Sequence, residues 1–461
     1  MIHYNVDRKI GLSTILFKSS YIILIVIFLP DKVILIRGHE CPVNMNTKTI
    51  AIIAVVVIVI AGAGAGIYFL NNKDTSDKEI NIVGRVNIEG SGLYLKEGSV
   101  ATDYVTQTNA QPAASEKYID LGEGANPRYT VFNAANWGGK VFATPGTATI
   151  QHVQLQTIVE NTLGMKFKMF VAGESLSNDT VYFTAAASYD AFVSALSQTS
   201  DLYGAYIWEA QYSLALRNGC VGAITSDSLF PEHTCCVIAA SHDYTKGHAD
   251  ETSRFLAAYV ASVNKMNAAI AAGSGEDYNK LLEVASQKVA LPDKYTTDKG
   301  IAKSDVIVDS LANVTYANAD AADGSLDALK ADVSALAVSL KGLGAITNSY
   351  SDLGFESADA FAARFVDDSF MKKAVEKGAE LKSDDKINIT VAVITGDVHQ
   401  LAIHYGMELG IFSDYGVNVT LSGQTNGPGV ATALQNGGAE FGFLGAPPIT
   451  ITVMNSELVT A

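Results

Sequence analysis

The chain has 461 residues, a formal net charge of −16, and 48% hydrophobic against 17% charged residues. That length and apolar content are enough for two or more compact lobes. The acidic balance, with no clustering of Lys and Arg, argues against nucleic acid as a partner and fits a salty or extracytoplasmic setting as well as the cytosol.

Ile50–Leu70, IAIIAVVVIVIAGAGAGIYFL, runs for 21 residues without a charge. At 1.5 Å per residue, a helix of that length crosses a hydrocarbon core of about 30 Å. Residues 45–78 are therefore read as a transmembrane or signal helix followed by a polar tether, Asn71–Glu79. Lys48 before the run is compatible with a chain anchored in the cell membrane by its N-terminal part, with the main domain extracytoplasmic. Met45 opens a short positive flank, so residues 1–44 are read as a non-native extension; their apolar run Tyr21–Leu29 is broken by Pro30, Asp31 and Lys32.

Beyond the tether, INIVGRVNI (Ile80–Ile88) alternates and predicts a strand, with Gly90, Ser91 and Gly92 freeing the backbone at its end. Residues 97–130 are polar and rich in Gly and Ala and are read as loops. KVFAT predicts a strand, PGTAT a turn, and Ile150–Leu163 an amphipathic helix that Thr147 or Thr149 caps. YGAYIW predicts another strand, His233–Ser241 a buried one, and Ala249–Ala272 a long helix with an apolar stripe. Helices fill most of 276–377.

The chain then runs through INITVAVI, VNVTL and AEFGFLG, each followed by a loop and a helix start. Three successive βα units imply a parallel sheet, whose ligands sit beyond the strand C-termini against helix N-termini. Four cysteines (Cys41, Cys220, Cys235, Cys236) are too few for a disulfide scaffold and show no CxxC zinc pattern. A bridge from Cys220 to Cys235 or Cys236 is left open. Sequons stand at Asn178 and Asn313, and at Asn388 and Asn418 within predicted strands, where modification is not expected.

Taken together, HQLAIHYGMELGIFSDYGVNVTL, GPGVATALQNGGAEFGFLGAPPITI, NIEGSGLYL, GGKVFATPGTATIQHV, YIWEAQ and HTCCVIAAS resemble the solute-binding proteins of ABC importers for nitrate, sulfonate, taurine and thiamine-precursor ligands. The resemblance spans residues 80–461, but in a different order. The stretch at 386–461 comes first in that family; here it follows RFVDDSFMKKAVEKGAELK, and the next family element is found back at Glu79. Circular permutation accounts for this order, and no family element appears twice. A truncated tandem of two such domains is the rival account.

The resemblance implies an α/β, two-lobed periplasmic-binding-protein-like fold, circularly permuted. Residues 80–134 plus 235–461 would form lobe I and 135–234 lobe II, closing on a small anionic or zwitterionic ligand. The implied contacts from lobe I are His399, Asn426, Gly427, Gly429, Ala446 and Pro447, with Ser91 and Gly92 from a fourth loop. Lobe II would offer Thr144, Thr147 and Thr149 at a helix start, which suits an oxyanion without Arg or Lys. Trp208 would cover the ligand and Glu209 would bind an amine. Arg254 and Arg364 are read as lying on solvated helix faces.

The implied partners are the small-molecule ligand and an ABC transporter permease, with no cofactor or metal and no catalytic residues. A sensory or scavenging ectodomain is the alternative. A pyrimidine-synthesising enzyme on the same fold is disfavoured, because such relatives carry a longer cysteine run than Cys235–Cys236.

Overall fold

The computed structural model describes residues 3–7, 12–19, 22–29, 32–37, 79–317 and 323–459. The expected anchor Ile50–Leu70 lies outside the described residues. Among the described residues no helix is long and apolar enough to cross a membrane. The chain divides into two compact units, Met1–Thr75 and Ser76–Ala461. In the first, β1 (His3–Asp7), β2 (Leu12–Ser19), β3 (Ile22–Leu29) and β4 (Lys32–Arg37) form an antiparallel meander.

In the second unit β5 (Ile80–Glu89) leads through Gly90 into β6 (Ser91–Leu95). Then come β7 (Val105–Thr108), β8 (Lys117–Asp120), β9 (Tyr129–Phe132) and β10 (Val141–Thr144). Helix α1 (Ile150–Thr157), β11 (Lys166–Met169), β12 (Thr180–Ala185), α2 (Tyr189–Leu196), β13 (Leu202–Trp208), α3 (Gln211–Arg217) and β14 (Val221–Thr225) follow. β15 (Thr234–Ser241) precedes α4 (His242–Gly247), α5 (Ala249–Ala272), α6 (Glu276–Lys288) and α7 (Lys303–Ala312). After the short β16 (Val314–Tyr316) come α8 (Asp327–Gly342), α9 (Ala358–Phe365) and α10 (Ser369–Lys377). Three βα units close the chain: β17 (Ile387–Ile394) with α11 (Leu401–Glu408) and α12 (Ile411–Asp414), β18 (Val417–Gln424) with α13 (Gly427–Gln435), and β19 (Phe441–Gly445) with α14 (Ala446–Asn455).

These strands build an α/β architecture with two six-stranded mixed sheets and one small sheet. The first sheet has the order β16-β5-β15-β19-β17-β18. β17 runs parallel to β18 and β19, while β15 runs antiparallel to β5 and β19. The last three units therefore complete a sheet that begins at Ile80. The chain end also reaches back to that start, where the Ile80 amide donates to Leu458 O at 3.1 Å. β15 is buried along almost its whole length, which explains its unbroken apolar sequence: a central strand covered on both faces has no solvent side to alternate with.

Helix α5 packs its stripe of Phe255, Leu256, Tyr259, Val263 and Met266 into the same core. It ends where Gly273 takes the left-handed conformation (φ 61°) that closes a helix. Arg254 of α5 does not face solvent as expected; its Nε donates to Tyr415 O at 3.0 Å, fastening the loop that enters β18. Arg364 is likewise engaged, in an ion pair with Glu79.

The second sheet has the order β11-β12-β10-β13-β6-β14. β10, β11, β12 and β13 are parallel, and β6 is antiparallel to β13 and β14. Two expectations change here. The segment 97–130, read as loops, holds β7, β8 and the start of β9, which pair as the antiparallel sheet β7-β9-β8. Only Val105, Tyr129, Thr130 and Phe132 of that sheet are buried, so its sequence looks polar. Val105 and Phe132 join Tyr104, Trp137 and Phe142 in a cluster beside the second sheet, with Trp137 Nε1 donating to Tyr104 O at 3.2 Å.

The second change is the division at residue 134: Ser91–Leu95 pairs within the second sheet, so the passage between sheets falls at Glu89–Ser91. The chain returns between β14 and β15, and the two passages lie side by side, the Glu89 amide donating to His233 O at 3.1 Å. Glu89 (φ 61°) and Gly90 (φ 89°) turn the chain there in the left-handed region.

Candidate functional site

The strand ends carrying the sequence-predicted residues fall into three groups. The first surrounds the passage at Gly90. The Gly90 carbonyl accepts from the Glu209 amide at 2.9 Å and from His399 Nε2 at 3.1 Å. His399 sits just before α11, 2% exposed, and its Nδ1 donates to Asp397 Oδ1 at 2.7 Å. Carbonyl and carboxylate are both acceptors, so both ring nitrogens carry a proton. Burial pulls the imidazole pKa down, but Asp397, Cys235 and the Gly90 carbonyl outweigh burial and raise it to about 10. His399 thus clamps the passage between the sheets, and the expectation of a free ligand contact is corrected.

Glu209 is corrected in the same way. It is 1% exposed, with Oε1 accepting from Ser213 Oγ at 3.0 Å and Asn313 Nδ2 at 2.7 Å, and Oε2 from the Ser213 amide at 3.1 Å. Burial raises its pKa against these donors. Its carboxylate caps α3 and ties the end of β13 to the turn before β16. At 1% exposure the carboxylate is enclosed by these donors rather than open to a ligand. Asn313, proposed as a glycosylation acceptor, has its amide engaged by the same contact.

Beside this group, β15 carries a bulge. Thr234 pairs with Ile88 and Cys236 with Asn87, which leaves Cys235 as the extra residue. An inserted residue breaks the alternation of side chains. Both thiols therefore meet, Sγ to Sγ at 3.8 Å, and both are buried. The contact with Cys236 and the charge on His399 pull the Cys235 thiol down against its burial. The Cys236 thiol is pushed well up, as the donor of that contact and by burial. Cys220, Cys235 and Cys236 are free thiols, so the bridge left open is not formed.

The second group lies at the strand ends of the second sheet. Ser91 and Trp208 are cross-strand neighbours. Ser91 is buried; its Oγ accepts from Gln151 Nε2 at 2.8 Å and its amide donates to Ser226 Oγ at 3.2 Å. Thr144 Oγ1 lies 3.0 Å from His152 Nδ1. Burial lowers the His152 pKa to about 4, so the ring is neutral. Thr149 caps α1 by accepting from the His152 amide, and Thr147 is exposed on the same turn.

Gly92 has a packing role: a Cβ there would stand 2.4 Å from the Tyr212 ring. Gly92→Ala is expected to cost about 1–3 kcal/mol in a denaturant melt, because the buried Tyr212 must shift to admit a methyl.

The third group stands at the helix starts of the first sheet. Asn426 caps α13, its Oδ1 accepting from the Gly429 amide at 2.9 Å. Gly427 is buried against Pro448, whose Cγ would lie 2.7 Å from a Cβ. Ala446 and Pro447 are buried in the first turn of α14. Gly429 is half-buried, and a Cβ there would meet nothing closer than 3.4 Å.

Of the predicted residues, the structure joins His399 and Glu209 through Gly90, and Ser91 and Trp208 across one strand pair. It leaves Thr147 and Asn426 exposed beside helix N-termini. Gln151 was missed. It is 2% exposed, with no partner for Oε1, and holds Ser91 from the first turn of α1. A polar residue in the first turn after a predicted cap is the signal that could have found it. Comparison with known proteins gives no match to a family model, to a curated protein or to a solved structure.

Proposed function

We propose that Ser76–Ala461 is a solute-binding domain that captures a small oxyanion-bearing ligand between two lobes, each built on one six-stranded sheet. It would hand the ligand to an ABC importer permease from the outer face of a membrane. The observation that carries the reading is the pattern of strand ends. In both sheets, parallel strands run into helices whose starts bear hydroxyl or amide caps: Thr149 on α1, Ser188 on α2 and Asn426 on α13. Helix N-termini carry about half a positive charge each and hold an oxyanion without Arg or Lys. The engaged carboxylate of Glu209 removes the reason to expect a ligand amine, so the anionic arm of the class is favoured.

The adjacent passages at Gly90 and His233 supply two crossings about which lobes would close. The contact between Leu458 and Ile80 supports the permuted order, because the family's chain would run directly across that junction. A truncated tandem gives no reason for the last three βα units to share a sheet with β5.

The test is a thermal-shift screen of the purified full chain against nitrate, bicarbonate, sulfate, taurine, alkanesulfonates and aminopyrimidines. A ligand at 100 times its Kd is expected to add about 2.7 kcal/mol, a rise of a few degrees in a protein of this size. One anion class should move the melt, and Asn426→Ala should weaken that response. A cooperative melt that none of these ligands shifts would sink the reading.

A further inference from the structure

We propose that Cys236, Asp397 and His399 form a buried site for a divalent first-row transition metal of the zinc type, at the passage between the two sheets. Cys236, Asp397 and His399 each offer a ligand atom, and these atoms lie within 4.8 Å of one another. The bulge in β15 sets the Cys235 thiol beside this group, 3.8 Å from Cys236 Sγ, without making it a member. A thiolate, an imidazole and a carboxylate, with the fourth position open to water, are a donor set that suits zinc.

The surroundings are arranged as they are around known metal ligands. A metal-bound imidazole usually donates its other N–H to a carbonyl or carboxylate, which fixes the tautomer. His399 Nε2 donates to Gly90 O at 3.1 Å, which leaves Nδ1 facing Asp397, in one group with Cys236. Asp397 is itself oriented by the His399 amide at 3.0 Å and by Gln400 Nε2 at 3.3 Å. In the loaded site the ion replaces the proton on Nδ1 and the one on the Cys236 thiol, and both protons leave to solvent on binding. The ligands come from β15 and the β17–α11 loop, with the second-layer carbonyl from the β5–β6 passage. A bound ion would therefore lock three segments where the chain changes sheets. This goes beyond solute binding and holds whether or not the lobes capture an anion.

The experiment uses the full, untagged chain carrying Cys41→Ser and Cys220→Ser, which leaves Cys235 and Cys236 as its only thiols. The protein is stripped with a chelator under reducing conditions and titrated with Co²⁺. The expected result is a thiolate-to-cobalt charge-transfer absorption that saturates at one equivalent, with the intense visible bands of tetrahedral Co²⁺, and is displaced by Zn²⁺. Adding Cys236→Ser should abolish the charge-transfer band, because Cys236 is the thiol of the group. Absence of a thiolate–cobalt band in the folded two-thiol chain would overturn the proposal, as would an unchanged titration in the chain with Cys236→Ser. If that last variant does not fold, the two-thiol chain decides alone: a saturating band supports the site and its absence refutes it.

Discussion

Replacing Glu209 with alanine is expected to lower the stability of the chain by about 3–5 kcal/mol, the range seen when one member of a buried charged cluster is removed. The residue is 1% exposed, and three donors converge on its carboxylate: the Ser213 amide, Ser213 Oγ and Asn313 Nδ2. Alanine leaves the start of α3 uncapped and the Asn313 amide without its acceptor in a region that water does not reach. It also removes a negative charge near the His399 imidazolium. Guanidinium melts of wild type, Glu209→Ala and Glu209→Gln check this. The glutamine variant keeps the shape and one acceptor oxygen, so its loss should be smaller, about 1–3 kcal/mol. An alanine variant within about 1 kcal/mol of wild type would show that the cluster does not hold the junction.

The same pair of variants separates two roles. If Glu209 only positions β13 and α3, the folded glutamine variant binds whatever anion the screen finds with unchanged affinity. A binding loss of tenfold or more in a protein that melts normally would restore the ligand contact that the structure has removed from it.

How far the sequence could be read depended on the range of the contacts involved. Ala249–Ala272 was legible to the residue because a helix stripe and a terminal Gly are local signals. β15 was legible because a strand buried on both faces is apolar throughout. The three βα units at the chain end announced a parallel sheet, and β17, β18 and β19 form one.

The small sheet β7-β9-β8 was not legible. Its strands bury only Val105, Tyr129, Thr130 and Phe132, so alternation is too sparse to see. The change of sheet at Gly90 was hidden for a different reason. Glycine at a strand end reads as a loop, and nothing local says that the next strand pairs elsewhere.

The site was legible as a set of loops but not as a set of roles. His399 looked available because its acceptor, Gly90, lies 309 residues away in sequence. Glu209 looked available because Asn313 is 104 residues away. A cap was easier: of Thr147 and Thr149, between which the sequence left the choice open, Thr149 caps α1, since a cap and its amide are three residues apart.

The second large effect concerns pH. Stability is expected to fall by up to about 3 kcal/mol as pH drops from 6.5 to 4, on account of His152 alone. The ring is buried between Phe167 and Phe183, with centroids at 5.3 and 4.6 Å, and has a polar contact with Thr144 Oγ1. Burial lowers its folded pKa to about 4, whereas the unfolded chain has the ordinary value near 6.5. The sign follows from proton counts. Between these values the unfolded state holds a proton that the folded state refuses, so acid favours unfolding. The stabilisation is complete above pH 6.5 and is lost progressively toward pH 4.

His404 is shifted the same way, to about 4, by burial and by Lys288, and adds to the slope. Carboxylates titrate in the same window, so the measurement is a difference. Denaturant melts at pH 7.5, 6.0 and 5.0 would compare wild type with His152→Asn, whose amide can still hydrogen-bond to Thr144. The variant should be less stable at pH 7.5, and the gap should narrow as the pH falls, because only the wild type loses the His152 contribution. Parallel pH profiles for the two proteins would mean that His152 is not held neutral in the fold.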